Sequence, residues 1–158
     1  MNKFFYILGL CFLINSISCY SQSSQIISDD ISLECPCRLN KTVEEGNIHY
    51  KCIDESNRIM VHIILRSWSN FFDKNAVREF NKSYMSNVKS FREFDFMNSK
   101  AIEGTFDNDG LTVNQLLFFS KPSYSSKVYN NITLSIYSES SWGCGVIYKS
   151  IKESIRYR

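Results

Sequence analysis

Four cysteines, Cys35, Cys37, Cys52 and Cys144, carry the sharpest chemical signal in this chain. A turn centred near Glu44 and Glu45 sets Cys37 across from Cys52, so a cross-strand disulfide is within reach. Cys35 shares a strand face with Cys37 and could meet Cys144, which opens a terminal helix. Structural disulfides or buried thiols are the expected roles in an oxidising compartment. A Cys-Pro-Cys redox centre is the weaker reading. Its spacing is not Cys-x-x-Cys, and no helix N-terminus follows to lower a thiol pKa. Zinc is a further alternative, since Cys35, Cys37, His49 and Cys52 supply three thiolates and an imidazole. His49 and Cys52, however, lie an odd number apart on one strand and should face opposite sides.

Other chemistry is thin. Asp107-Asn108-Asp109-Gly110 resembles part of a calcium loop but lacks the later bidentate Glu, and reads as a hairpin turn. His49 and His62 are the two histidines, and His62 sits in an apolar strand. No Gly-x-Ser-x-Gly, His-Glu-x-x-His or glycine-rich phosphate loop occurs. No catalytic residue, cofactor or metal is therefore assigned. Asn40, Asn81 and Asn131 begin Asn-x-Ser/Thr sequons, which matter only in a glycosylating host.

These residues need elements to position them. Met1-Asn2-Lys3, an apolar run from Phe4 to Ile14 and then polar Asn15, Ser16 and Ser18 have the order of a secretory signal peptide. The run is too short for a membrane span. Cleavage after Ser21 is favoured, and lipidation of Cys19 is the alternative. Residues 1–21 are thus expected to be a signal peptide, 22–30 a flexible lead-in, and 31–158 a single domain. With 18 basic and 16 acidic residues the charge is nearly balanced. That balance offers no case for nucleic acid or for electrostatic membrane docking.

Ile31, Leu33, Cys35, Cys37 and Leu39 alternate as a half-buried strand, with Pro36 demanding an edge or an irregularity. Strands are expected over 48–53 and 58–67. Val77, Phe80, Tyr84, Val88 and Phe91 then recur at steps of three and four, which predicts a long amphipathic helix capped near Ser69 or Asn70. Extended pieces follow between Phe94 and Phe106, over 111–120 and over 127–138, joined by turns at 98–100, 107–110 and 121–123. A closing helix buries Ile147 or Tyr148, Ile151 and Ile155. The expected fold class is α+β: one antiparallel sheet packed with one long central helix and a C-terminal helix.

This order resembles the PsbP-like fold family of small extracytoplasmic domains. Ile31 to Leu39 looks like its opening strand, Ala101-Ile102-Glu103-Gly104 like a later strand with its Gly, and Tyr148 to Ile155 like its closing helix. The resemblance implies an antiparallel sheet between helices and a binding or accessory role; it carries no ligand residues across. The expectation is an exported, non-catalytic binding or accessory protein of the cell envelope, periplasmic or extracellular. Its partner would be an unknown envelope protein or small ligand. The alternative is a small envelope hydrolase or thiol-redox enzyme, or a zinc-binding domain, using Cys35, Cys37, His49 and Cys52.

Overall fold

A computed structural model describes residues 23–68, 88–97, 99–120 and 129–158. Among them the chain forms ten strands: β1 Ser23–Ile26, β2 Ile31–Cys35, β3 Asn40–Glu44, β4 Asn47–Asp54, β5 Ile59–Trp68, β6 Val88–Phe96, β7 Ser99–Asn108, β8 Leu111–Ser120, β9 Tyr129–Ser138 and β10 Arg156–Tyr157. One helix, α1 Ser141–Ser154, lies between β9 and β10. Seven strands make one antiparallel sheet in the order β3-β4-β5-β9-β8-β7-β6, and β1-β2-β10 make a second.

Local chemistry sets the turns. Glu45 and Gly46 both have positive φ (51° and 77°), as do Asp109 and Gly110 (48° and 81°). These are the two-residue turns whose twist matches a hairpin, and Gly takes the left-handed position without a Cβ penalty. At the β4–β5 turn the Asp54 carboxylate accepts from the backbone N–H and side-chain amide of Asn57 (3.3 and 2.7 Å). Ser140 caps α1 by accepting the Gly143 N–H at 3.1 Å, satisfying one of the orphan donors of the first turn.

Period-two alternation decides which side chains go inside. Val61, Ile63, Leu116, Phe118, Ile132, Leu134 and Ile136 point to one face of the large sheet. There they form a core with Ile31, Leu33 and Cys35 of β2 and with Cys144, Ile147 and Ile151 of α1. The small sheet and α1 together make the second layer, and this face is the inner face. The outer face has its own smaller buried cluster of Ile102, Leu117 and Phe119.

The architecture is mostly β, which corrects the expected sheet with a long central helix. Val88 and Phe91, the last two members of the helical stripe, lie in β6, paired with β7. Phe94 and Phe96, two apart, pack against the core, and Phe91 is left exposed. Ladder pairing with β7 overrides the helical spacing. The remainder of the stripe, Val77, Phe80 and Tyr84, lies outside the described residues, as do the signal segment with Cys19 and the turn at 121–123. Within the expected lead-in, Ser23–Ile26 forms β1, pairing Ser23 with Cys35 and Ile26 with Ser32. No helix among the described residues is long and apolar enough to cross a membrane.

Candidate functional site

A cleft of about 840 Å³ opens where the inner face of β3–β5 meets the β1–β2 turn and the C-terminus. Ile48 and Tyr50 of β4 and Leu65 of β5 supply an apolar floor, because alternation turns them inward beyond the area that α1 covers. Lys41 of β3 pairs in register with Tyr50, and its ammonium lies 6.0 Å from the Tyr50 ring centroid. Burial pushes the Tyr50 phenol pKa up.

The opposite wall is the turn between β1 and β2. The Ile27 and Ser28 N–H groups both donate to the Ile31 carbonyl (3.1 and 3.2 Å), and the Arg158 N–H donates to the Asp30 carbonyl at 3.0 Å. This locks the backbone and aims the Asp30 side chain. Ser28 Oγ donates to Asp30 Oδ1 at 2.5 Å. Asp30 Oδ2 is buried and has no hydrogen-bond partner. A buried acceptor left unmade costs about 1–3 kcal/mol, more when charged. Such a group in a native fold calls for a reason, and a donor from a bound molecule is one.

A second polar cluster sits where β6 and β7 meet α1. Glu103 Oε2 accepts from the Tyr148 hydroxyl at 2.6 Å and from Lys152 Nζ at 2.8 Å, and Arg92 Nε donates to Oε1. Burial opposes ionisation of Glu103, but the donors from Lys152, Tyr148 and Arg92 outweigh it and hold the carboxyl below its usual range. Burial, reinforced by the Glu103 contact, pushes the Tyr148 phenol far up. Both carboxylate oxygens of Glu103 are engaged, so the cluster ties α1 to the sheet.

The cysteines divide three ways. Cys37 and Cys52 form a disulfide with sulfurs 2.04 Å apart. The hairpin turn falls at Glu45–Gly46, one residue later than the sequence reading placed it, since the ladder pairs Glu44 with Asn47 and Asn40 with Lys51. Cys37 lies beyond the end of β3 and reaches Cys52 from the bend at Pro36–Cys37. Cys35 is a free, fully buried thiol, 3.5 Å from Cys52 Sγ. Burial pushes its pKa to about 11. Cys144 does not meet Cys35. It too is free, against the carbonyls of Thr112 and Ile136 (3.3 and 3.2 Å) and the Asn114 amide (3.1 Å), and burial raises its pKa.

The histidines stand apart from the sulfurs. His49 leaves Tyr50 and Cys52 on the inner face and meets His62 on the outer one, Nδ1 to Nε2 at 3.0 Å. Burial, with Lys51 and His49 nearby, lowers the His62 pKa to about 4. The four-residue zinc set is therefore not assembled. Asp107 to Gly110 is the β7–β8 hairpin turn. Of the sequons, Asn40 is exposed, Asn131 is buried in β9 and Asn81 lies outside the described residues.

Sequence reasoning passed over Asp30, Glu103, Tyr148 and Lys152. A signal existed for three of them. Glu103 falls on the inward face of an alternating strand, where a carboxylate needs a partner. Tyr148 and Lys152 are four apart on the buried side of a helix. Asp30 had none, because its role comes from a turn and a chain terminus distant in sequence.

No protein-family model matches the chain, and no curated protein matches it. Among solved structures, the fold is similar to the crystal structure of LpqN, involved in cell envelope biogenesis of Mycobacterium tuberculosis. The TM-score is 0.54 at 15% sequence identity, over 87% of this chain and 90% of that one. At that identity the likeness is one of fold.

Proposed function

We propose that this chain is an exported, non-catalytic binding or accessory protein of the cell envelope. In this reading its cleft holds an amphipathic small ligand. The observation that carries the reading is the buried, unpartnered Asp30 Oδ2 beside an apolar floor. Ile48, Tyr50 and Leu65 suit an apolar body, and Asp30 suits a head that donates a hydrogen bond from a hydroxyl or an amine. Export is supported by the order of residues 1–21, with a mature N-terminus at Gln22 or a lipidated Cys19. The envelope role is supported by the fold likeness to LpqN and is in keeping with the PsbP-like resemblance of three short segments. The thiol-redox alternative is disfavoured by Cys35, whose buried, high-pKa thiol is a poor nucleophile.

Native mass spectrometry of the chain purified from its host envelope tests the ligand. A bound small molecule that is lost in Asp30→Ala is the expected result. Bare protein, unchanged after incubation with an envelope lipid extract, would sink the reading. Intact mass of the same sample reports the processed N-terminus, and full-length chain beginning at Met1 in the cytosol would remove the export claim.

A further inference from the structure

The three sulfurs of Cys35, Cys37 and Cys52 lie within 4.8 Å of one another. They come from three separately held pieces of chain. Cys35 ends β2, fixed between β1 and β10. Cys52 sits in β4, paired with Val61 of β5. Cys37 is on the connecting bend, clamped on both sides by Gln25. The Gln25 amide donates to the Cys37 carbonyl at 2.9 Å, and its oxygen accepts from the Leu39 N–H at 2.7 Å. The placement of Cys37 thus does not depend on its disulfide alone.

We infer that the reduced chain holds a soft, thiophilic metal ion, Cu(I), between Cys35, Cys37 and Cys52. Three thiolates about 2.3 Å from one ion in a plane stand about 4 Å apart. The present Cys35–Cys52 separation of 3.5 Å and the 4.8 Å outer limit of the cluster bracket that value. Breaking the disulfide lets Cys37 and Cys52 relax to the same spacing. The sulfur-only set selects the ion. Thiolates favour Cu(I) over hard cations. Zinc prefers a fourth protein ligand in closed sites, and His49, the nearest sequence candidate, is on the opposite face of β4.

The chemistry balances with a dithiol as reductant. The dithiol gives two electrons and two protons to the Cys37–Cys52 bond and becomes a disulfide itself. Thiols remain at Cys35, Cys37 and Cys52, and the ion displaces their protons as it binds. Cys35 and Cys52 are buried while Cys37 is partly exposed, so the ion enters from the Cys37 side. Because protons leave on binding, affinity rises with pH.

The test is anaerobic Cu(I) titration of the mature chain against the chelator bicinchoninate, on oxidised and reduced samples of the same preparation. X-ray absorption of the loaded protein counts the sulfur neighbours. The reduced chain should take up one ion with three sulfur neighbours, and the oxidised chain none. Cys35→Ala should lose this uptake when reduced yet still form the Cys37–Cys52 disulfide when oxidised, which shows that its fold survives. Cys37→Ser, altered at the partly exposed position, should lose it too, and His49→Ala should keep it. No uptake by the reduced chain, unchanged uptake in Cys35→Ala, or a two-sulfur site would overturn the assignment. One zinc ion with three sulfurs and a water, bound in preference to Cu(I), would overturn the choice of ion.

Discussion

Glu103 and Asp30 are both acidic side chains at the rim of the same apolar layer, and they are held in opposite ways. Glu103 accepts from Arg92, Tyr148 and Lys152. Asp30 accepts from Ser28 through one oxygen and leaves the other buried and unpartnered. A saturated carboxylate is finished within the fold, and its removal should cost stability. An unsaturated one costs the fold something, and its removal should cost binding. That contrast, more than the size of the cleft, separates a brace from a site.

The largest effect is expected at the brace. Glu103→Gln should destabilise by about 3 kcal/mol, because breaking one partner of a nearly buried pair strands the other. The side chains of Lys152 and Glu103 are only 17% and 15% exposed. Chemical denaturation measures it, and a loss below about 0.5 kcal/mol would place Glu103 among ordinary surface pairs. The sign with pH follows. The folded pKa of Glu103 is lowered, so its stabilisation is present above the unfolded value and fades as pH falls through the folded one. Wild type should therefore lose more stability than Glu103→Gln on acidification below the ordinary carboxylate range.

The Cys37–Cys52 bond comes next and concerns the cleft wall. With a sequence separation of 15, its reduction should cost about 2–3 kcal/mol. The loss should fall unevenly. Hydrogen exchange should rise across β3 and β4, which carry Lys41, Ile48 and Tyr50, and stay low around Tyr148 and Lys152. Equal loosening of both regions would mean that the brace and the cleft wall unfold together and cannot be compared as separate units.

How far the sequence reveals these two regions differs for physical reasons. The Asp109–Gly110 turn, the strands over 111–120 and 129–138 and the closing helix are written in local patterns, and the structure follows them. The Cys37–Cys52 pair was legible because only a hairpin lies between the two residues, even though the turn centre moved by one. The helical reading fails at Val88 and Phe91, which fit a helical period, while the extended reading from Phe94 onward holds. Only pairing with β7, some ten residues on, resolves that conflict. The cleft was illegible because it joins residues 26–30, 41–67 and the C-terminus, a convergence no local period encodes.

A smaller effect belongs to the outer face behind the cleft wall. The folded His62 pKa is about 4, below the reference value of about 6.5. A lowered pKa means stability that is intact above the unfolded value and lost as pH falls from about 6.5 toward 4. Allowing for solvent screening of a half-exposed ring, the loss is about 1–2 kcal/mol. His62→Gln should flatten the stability profile in that window and leave the Glu103 contribution below it untouched. A profile unchanged between pH 6.5 and 4.5 would show that the pair with His49 rearranges without cost.

The smallest stability change is expected at Asp30, and its smallness is the point. Asp30→Ala loses the Ser28 hydrogen bond, worth about 1 kcal/mol, but it also removes a buried oxygen that nothing satisfies. The two terms oppose each other, so the denaturation midpoint should move by less than about 1 kcal/mol in either direction, as for substitutions that leave no group stranded. The same variant should lose the cleft ligand. Asp30→Asn separates the contributions further, because its amide keeps the shape and an acceptor oxygen while replacing the charged carboxylate with a neutral group. If Asp30→Ala costs as much as Glu103→Gln and ligand binding is unaltered, then Asp30 is a second brace, and the unpartnered oxygen is satisfied by ordered water rather than by a ligand.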